Sequence, residues 1–150
     1  MKRIWIDAGK CDGCLNCTLA CMNAHRADKG SIYDLDLTDP SNESRNFIRR
    51  QPDGSCRPIF CRHCDEPECA SSCMSGALSK NPETGMVEYD EKRCAGCFMC
   101  VMNCPFGVLK PDTSTRSRII KCDFCKDSGG EPSCVKACPK KAIWIEEVQS

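Results

Sequence analysis

The chain has 150 residues, of which 17 are cysteine and only 6% are aromatic, and its 21 basic and 21 acidic residues cancel to a formal net charge of zero. This length predicts one compact domain, or two small lobes that share a core. The balanced charge argues against a nucleic-acid partner, and the apolar stretches are too short to span a membrane. We therefore expect no nucleic acid among the partners and no direct membrane insertion.

Two short β-prone runs stand at the ends of the chain, at residues 3–7 and 142–146, and each has a tryptophan between two isoleucines. Runs of β-branched and aromatic residues of this length predict strands. The near-symmetry of the two runs predicts that they pair, which would bring the two ends of the chain together.

The segment 26–55 is polar and contains no complete cysteine motif. Residues 47–50 and 57–60 flank a Pro-Asp-Gly turn, so we expect a hairpin there. We interpret 26–55 as an insertion that is either a solvated face, as most charge runs are, or a docking surface. The second interpretation depends on five arginines that we expect near the cysteines at 61–73: Arg45, Arg49, Arg50, Arg57 and Arg62.

A second hairpin is predicted from residues 77–80 and 86–89, which flank a turn rich in Asn, Pro and Gly. Short helical turns are expected after the cysteine loops, as at 97–103 before Pro105. Together with the end strands, these elements predict an α+β fold with short strands, short helices and long loops.

Sixteen of the 17 cysteines form four sets of four, and each set opens with Cys-x2-Cys and closes with Cys-x3-Cys. The sets are Cys11, Cys14, Cys17 and Cys21; Cys61, Cys64, Cys69 and Cys73; Cys94, Cys97, Cys100 and Cys104; and Cys122, Cys125, Cys134 and Cys138. The first and third follow the full C-x2-C-x2-C-x3-C run of bacterial ferredoxins, which is typical of [4Fe–4S] clusters. We therefore predict four [4Fe–4S] clusters, coupled as two ferredoxin-like pairs, and electron transfer as the function.

Disulfides and zinc are the competing explanations for so many cysteines. A disulfide framework suits a small secreted protein, but the residues before Asp7 are too few for the core of a signal peptide. Zinc knuckles use separated Cys-x2-Cys pairs and do not explain the third and fourth cysteines of each set. Sixteen thiolates also suit the reducing cytosol, so we expect a cytoplasmic protein.

Few apolar residues remain to build a core once the cysteines are set aside, so the clusters must fill that role. We expect seven side chains to shield the clusters from water: Ile4, Leu15, Leu19, Phe98, Met99, Val101 and Val108. Gly13 and Gly96 stand inside Cys-x2-Cys turns, where the missing Cβ lets backbone amides approach a cluster.

Three residues near the motifs have two possible interpretations each. His25 and His63 stand close to ligand cysteines, yet an ordinary surface or core histidine is the favoured interpretation over a contact to a cluster. Cys56, the seventeenth cysteine, is interpreted as a plain thiol, with a spare ligand as the alternative.

The motifs around the cysteines resemble the four-cluster ferredoxin subunits of dimethyl-sulfoxide-reductase and formate-dehydrogenase complexes. The chain resembles still more closely the iron–sulfur proteins associated with nickel–iron carbon monoxide dehydrogenase. The residues that carry the resemblance are 60–69, 73–78, 94–100, 104–108, 121–125 and 134–139.

The resemblance implies a nested ligation, in which the fourth cysteine of each set binds the neighbouring cluster. The implied ligand groups are Cys11, Cys14, Cys17 and Cys138; Cys122, Cys125, Cys134 and Cys21; Cys61, Cys64, Cys69 and Cys104; and Cys94, Cys97, Cys100 and Cys73. The predicted pairing of the end strands and the central hairpin support this nesting independently. It divides residues 1–150 into two interleaved bacterial-ferredoxin-like modules, module A from 1–25 plus 115–150 and module B from 56–112, with 26–55 as the insertion.

The sequence contains no catalytic triad, carboxylate pair or nucleotide fingerprint, so we expect an electron-transfer subunit of an oxidoreductase complex and not an enzyme. The resemblance implies an anaerobic, cytoplasmic complex in which the chain takes electrons from a carbon monoxide dehydrogenase. It would pass them to a flavin-dependent NAD(P) oxidoreductase or a hydrogenase. The alternatives are the same role beside a molybdopterin oxidoreductase of the formate-dehydrogenase or dimethyl-sulfoxide-reductase type, or a free polyferredoxin.

Overall fold

A computed structural model describes residues 1–149 as short strands and helices joined by long loops. The strands are β1 (Lys2–Ile6), β2 (Phe47–Arg50), β3 (Cys56–Ile59), β4 (Leu78–Lys80), β5 (Val87–Tyr89), β6 (Lys110–Pro111), β7 (Ile119–Ile120) and β8 (Ile143–Glu147). The α-helices are α1 (Asn16–His25), α2 (Glu68–Ser71), α3 (Met99–Asn103) and α4 (Ser133–Lys136). Single 3-10 turns lie at Ala8–Lys10, Ile32–Asp34, Glu91–Arg93 and Lys126–Ser128. The predicted mixture of short helices and strands is confirmed.

The strands pair two by two, and every pair is antiparallel. Strand β1 pairs with β8 so that Trp5 lies opposite Trp144, which confirms the predicted pairing of the two ends. The pairs β2–β3 and β4–β5 are the two predicted hairpins. The pair β6–β7 was not predicted, because a two-residue ladder has no alternation of side chains for a sequence pattern to reveal.

The helices are too short to be stable without tertiary contacts. Helices α2 and α4 have four residues each and α3 has five, whereas isolated helices shorter than about 12 residues are marginal in water. Helix α1 packs on α4, and α2 packs on α3. Each of these helices contains a cysteine of one of the four sets, so packing of the helices brings cysteines from distant sets together.

The buried side chains form two cores, and both contain cysteines of the four sets. In the first core, Cys61 and Cys100 lie with Leu78, Val87, Val108, Leu109 and Ile119. In the second core, Cys17 and Cys134 lie with Ile4, Phe60, Phe124 and Ile143. The apolar residues therefore pack around the sulfur atoms and do not form a separate core.

The predicted shielding residues are not all shielded themselves. Ile4 and Val108 are buried, as expected. Leu15 is 47% exposed and Met99 is 39% exposed, but Leu15 also lines a cavity together with Cys11, Cys14 and Cys17. That these two side chains shield clusters from water stays a prediction. The exposure of both side chains reflects their position at the start of α1 and α3, where the first turn buries Cys17 or Cys100 and leaves the neighbouring side chain towards solvent.

Within residues 1–149, no helix combines the length and the apolar character needed to cross a membrane. The longest helix, α1, has 10 residues.

Replacing Gly96 by alanine should destabilise the protein. Gly96 has a φ of +66°, and a Cβ there would lie 2.8 Å from the carbonyl oxygen of Ser117. Gly96→Ala therefore adds a backbone clash to conformational strain and should lower the free energy of unfolding by about 2 kcal/mol. The measurement is the guanidinium concentration at which half of the cluster absorbance is lost under anaerobic conditions.

Gly107 provides the matched control, because its φ is +59° and a Cβ added there would have no atom within 4 Å. Gly107→Ala introduces the conformational strain without the clash and should lower the free energy of unfolding by only about 1 kcal/mol. Equal effects of the two substitutions would contradict the close approach of Ser117.

Candidate iron–sulfur centres

The four Cys-x2-Cys turns share one backbone feature. The residue directly before the second cysteine has a positive φ in every turn: 76° at Gly13, 45° at His63, 66° at Gly96 and 60° at Phe124. This conformation is costly for residues other than glycine, and it persists only where surrounding contacts enforce it. The four turns therefore share one backbone conformation although their sequences differ.

Three cavities are each lined by four cysteines. One is lined by Cys11, Cys14, Cys17 and Cys138, the second by Cys61, Cys64, Cys69 and Cys104, and the third by Cys73, Cys94, Cys97 and Cys100. In each cavity three cysteines come from one set and the fourth closes a different set. Apolar side chains such as Ile48, Val108 and Phe98 complete the walls.

Of the remaining four cysteines, Cys21 lies in α1 and Cys134 in α4, and these two helices pack on each other. Cys134 of α4 is buried, and its pKa is raised first by burial and then by the negative charges of Cys122, Cys21 and Cys125. Three cavities therefore bring twelve of the cysteines together in groups that the resemblance implied, and the fourth group consists of the four that remain. Which cluster each cysteine binds stays a prediction.

The chemistry of these thiols fits a thiophilic metal cluster. Burial raises the pKa of Cys17 and of Cys69 to about 11, so neither thiol would ionise near neutral pH without a metal, and coordination deprotonates thiols outright. All 17 cysteines lie within the described residues and none forms a disulfide. The groups of four sulfurs match the ligand number of a [4Fe–4S] cluster.

Backbone amides donate hydrogen bonds to three of the ligand sulfurs. The Arg45 amide lies 3.2 Å from Cys21 Sγ, the Phe124 amide 3.4 Å from Cys122 Sγ, and the Ala142 amide 3.3 Å from Cys138 Sγ. Such bonds stabilise negative charge on sulfur and are a main determinant of cluster potential.

The segment 26–55 contacts the candidate centres directly, which neither interpretation of it anticipated. The Arg45 amide bonds to Cys21 Sγ, and Ile48 lines the cavity of Cys11. The buried Asn46 donates to the carbonyl oxygen of Cys17 at 3.4 Å and accepts from the Thr18 hydroxyl at 3.1 Å. At least residues 45–48 therefore support α1 and its two cysteines.

The prediction that five arginines gather near the cysteines at 61–73 is wrong for two of them. Arg45 pairs with Asp123, between Cys122 and Cys125. The Arg50 guanidinium lies near Gly13, in the first Cys-x2-Cys turn. The chain folds back on α1 before the hairpin, so these two arginines contact the turns of the fourth and first cysteine sets. Arg62 does lie at the predicted place, with its Cζ 4.5 Å from the Phe106 ring centroid.

His25 contacts a ligand cysteine, contrary to the favoured interpretation. It follows Cys21 by one helical turn; its Nδ1 donates to the Cys21 carbonyl oxygen at 2.8 Å and lies 3.7 Å from Cys21 Sγ. Its Nε2 donates to Asp123 Oδ1 at 3.0 Å. Burial alone would lower the pKa of His25, but the contacts with Asp123 and Cys21 outweigh burial and raise it to about 10.

His63 is a buried core histidine, as the favoured interpretation held. It is 2% exposed, it packs edge-on against Phe124, and its Nδ1 accepts the Val87 amide at 3.0 Å. Burial, reinforced by Lys121 and Lys80, lowers the pKa of His63 to about 3. The neutral ring therefore carries its proton on Nε2, a buried atom without a protein partner in the described structure. His63 also lines the cavity of Cys61, so a cluster held there would offer sulfur atoms as acceptors for a hydrogen bond from Nε2.

Cys56 stands outside the four groups. It is buried, and its Sγ lies 2.6 Å from the position that a Cβ on Gly13 would occupy. The thiol therefore packs behind the first Cys-x2-Cys turn and is not among the residues that line the cavity. This placement favours the interpretation of a plain thiol.

Comparisons with known proteins agree with this arrangement. The family described as "4Fe-4S dicluster domain" matches residues 53–148. An iron–sulfur protein of Rhodospirillum rubrum is 34% identical over 161 residues, which cover 98% of this chain and 83% of that protein. The thiosulfate reductase electron transfer subunit PhsB of Salmonella typhi is 35% identical over 149 residues, 91% of this chain and 71% of PhsB.

Two further similarities extend the comparison. The B subunit of the anaerobic dimethyl sulfoxide reductase of Escherichia coli (strain K12) is 34% identical over 146 residues, which cover 93% of this chain and 70% of that subunit. Among solved structures, a component of the active site complex BamBC of benzoyl coenzyme A reductase with benzoyl-CoA matches with a TM-score of 0.52 and 28% identity. That match covers 97% of this chain and 79% of the other.

The four groups of thiols on a small α+β scaffold define an electron-transfer iron–sulfur protein that is not itself catalytic. This protein belongs to the 4Fe-4S dicluster domain family, and its cofactors are four [4Fe–4S] clusters.

The charged His25 should make stability depend on pH. The pKa of about 10 in the folded protein lies above the unfolded value of about 6.5. The stabilisation is therefore complete below about pH 6.5 and is lost as the pH rises through about 10. In guanidinium, we expect wild-type holoprotein to lose its clusters progressively faster as the pH rises from 7 to 10. In His25→Gln, we expect this rise in the rate of cluster loss to be absent. Identical pH profiles of the two proteins would contradict the ion pair with Asp123.

Proposed function

We propose that this chain is the electron-transfer subunit of an oxidoreductase complex and passes electrons along a linear relay of four clusters. The observation that carries the proposal is the set of four cysteine groups on one small scaffold. When bound, the clusters supply one-electron redox chemistry at potentials set by hydrogen bonds and solvent exposure. A chain of this length has a radius of gyration of roughly 15 Å, so each cluster has a near neighbour.

The ligands that we propose follow the nested scheme. The groups are Cys11, Cys14, Cys17 and Cys138 (group 1); Cys21, Cys122, Cys125 and Cys134 (group 2); Cys61, Cys64, Cys69 and Cys104 (group 3); and Cys73, Cys94, Cys97 and Cys100 (group 4). The common lining of three cavities supports groups 1, 3 and 4. Group 2 takes the four cysteines that remain, and the packing of α1 on α4, which contain Cys21 and Cys134, supports it.

We infer the order of the relay from charge interactions between groups and from chain connectivity. Cys17 of group 1 acts on the pKa of Cys134 in group 2, and Cys61 of group 3 acts on that of Cys122 in group 2. Helix α2 contains Cys69 of group 3 and ends just before Cys73 of group 4. These relations support the order 1–2–3–4.

Electrons would enter and leave at the two ends of this order. Cys14 of group 1 and Cys97 of group 4 are exposed, whereas the cysteines of groups 2 and 3 are buried or half-buried. A redox partner could therefore approach the outer two groups closely, and the inner groups are kept from solvent.

The partner that we propose is a catalytic subunit of the dimethyl-sulfoxide-reductase type. The descriptions of two relatives support it, since they name a subunit of dimethyl sulfoxide reductase and the electron transfer subunit of thiosulfate reductase. This favours the alternative of a molybdopterin oxidoreductase over the carbon monoxide dehydrogenase that the sequence motifs suggested. The latter partner, its flavoprotein or hydrogenase acceptor, and a cytoplasmic location stay predictions from sequence.

Substitution of Cys138 tests the nested ligation. Holoprotein purified anaerobically should contain about 16 irons per chain. Cys138→Ser should alter the same electron paramagnetic resonance signal as Cys11→Ser, because both remove a ligand of group 1. Cys134→Ser is the matched control, and it should alter the same signal as Cys122→Ser. If Cys138→Ser instead reproduced the spectrum of Cys122→Ser, the fourth cysteine would bind within its own set and the nested scheme would be wrong.

Electron exchange with a defined partner tests the proposed complex. Holoprotein reduced with dithionite should be reoxidised within seconds when a dimethyl sulfoxide reductase catalytic subunit and dimethyl sulfoxide are added, and the two proteins should co-purify. Carbon monoxide dehydrogenase with carbon monoxide is the opposing arm, in which oxidised holoprotein would bleach. Bleaching in that arm without reoxidation in the first would establish the carbon monoxide dehydrogenase partner. Exchange without stable co-purification would indicate a free polyferredoxin.

A further inference from the structure

Lys121 is a buried cation with no acidic partner in the described part of the chain. Lys121 is 6% exposed, and its Nζ donates to the carbonyl oxygens of Val87 at 2.6 Å and of Cys122 at 3.0 Å. Among residues 1–149, no carboxylate oxygen lies within ion-pair distance of it. The nearby Asp123 is already paired with His25 and Arg45.

A buried ammonium in this position requires compensation. Burial of a charge without a counter-charge costs several kcal/mol, and two carbonyl oxygens offset only part of that cost. The other titratable groups near Lys121 do not help, because Lys80 is also cationic and His63 is neutral. The negative charge that remains is that of the cysteine sulfurs and the clusters they hold.

Lys121 lies between cysteines of two different groups. It directly precedes Cys122 of group 2 in the sequence. Its Nζ donates to the carbonyl oxygen of Cys122 at 3.0 Å. Its other partner, Val87, lines the cavity of group 3 together with Cys61 and Cys69. The ammonium is therefore close to the place where groups 2 and 3 meet.

The backbone of Val87 holds Lys121 in place. The Val87 amide donates to His63 Nδ1 at 3.0 Å, and its carbonyl oxygen accepts from Lys121 Nζ at 2.6 Å. His63 precedes Cys64 of group 3, and Lys121 precedes Cys122 of group 2. One residue of β5 thus connects the two cysteine loops and leaves the ammonium little freedom to move away.

We propose that Lys121 is a potential-setting residue between the two inner clusters of the relay, and that its buried ammonium raises the reduction potentials of both. The reasoning rests on the proposed function. Each cluster gains one electron on reduction and no bond to the protein is made or broken, so reduction adds one negative charge. A fixed positive charge beside the cluster stabilises the more negative state, and it does so strongly where water cannot screen it. The single charge of Lys121 therefore favours reduction of the cluster of group 2 and of the cluster of group 3.

The test compares Lys121→Met with Lys126→Met in holoprotein purified anaerobically. Methionine keeps much of the length of lysine and removes its charge. Lys126 follows Cys125 in the same loop but is exposed, so its removal changes the formal charge equally while solvent screens the effect. The readout is a potentiometric titration of all clusters by electron paramagnetic resonance.

In Lys121→Met, two of the four reduction steps should become at least about tenfold less favourable, which is a fall of about 59 mV for a one-electron couple. Lys126→Met should leave all four steps near their wild-type potentials. Lys121→Arg, which keeps the charge, should restore the two shifted steps at least in part. A merely structural role for Lys121 would not produce a selective fall in two potentials that a second cation reverses.

Each other outcome also decides the question. Unchanged potentials in a Lys121→Met protein with full iron content would overturn the proposal. If Lys121→Met loses iron, retention of iron by Lys121→Arg supports a requirement for the charge, and loss from both variants contradicts it. The wild-type titration tests the relay separately: fewer than four reducible clusters there would contradict the proposed function, whatever the variants do.

Discussion

The convergence of buried thiols on shared sites is the constraint on which the rest of this structure depends. The helices of four or five residues and the sheets of two strands are marginal by themselves. Both cores contain ligand cysteines among their buried residues. Metal–thiolate bonds form only when the chain is folded, so their free energy is folding free energy. The secondary structure can therefore be minimal, because its task is to hold sulfur atoms at defined places.

The negative charge of clusters inside a small protein must be compensated, and this chain compensates it with groups close to the cysteine sulfurs. Its formal charge of zero provides no general positive field. Amides of Arg45, Phe124 and Ala142 donate to ligand sulfurs instead, and they do so without a proton that can be lost. The buried Lys121, whose Nζ donates to the Val87 carbonyl oxygen, is the residue that we propose to add a full positive charge between the inner two clusters. A few oriented groups thus compensate the cluster charge in place of a positively charged surface. Their positions differ from cluster to cluster, so the reduction potentials are expected to differ as well.

The relatives place this scaffold beside quite different chemistries. A thiosulfate reductase, a dimethyl sulfoxide reductase and a benzoyl coenzyme A reductase complex all contain a component similar to this protein. A protein that contributes only the position and the potential of its clusters can be combined with many catalytic subunits, because the reacting substrate never touches it. Differences between such proteins are then expected where a partner docks and where potentials are set.

Local sequence determined the type and number of clusters, the two hairpins and the pairing of the chain ends. Each of these depends on residues close together in sequence or on a strong strand pattern: a Cys-x2-Cys turn is complete within four residues, and Pro-Asp-Gly specifies its own turn. The contact of His25 with Cys21 was also within reach, since residues four apart on a helix share one face.

Tertiary structure alone decided which groups surround the clusters. The Arg45 amide reaches Cys21 across 24 residues of sequence, and Lys121 reaches Val87 across 34. No periodicity links such pairs, because their meeting depends on how α1, the β2–β3 hairpin and the β4–β5 hairpin pack on one another. Candidate ligands can be named from the sequence because the spacing of the cysteines itself indicates a cluster site. The hydrogen bonds and charges around those cysteines exist only after the chain has folded.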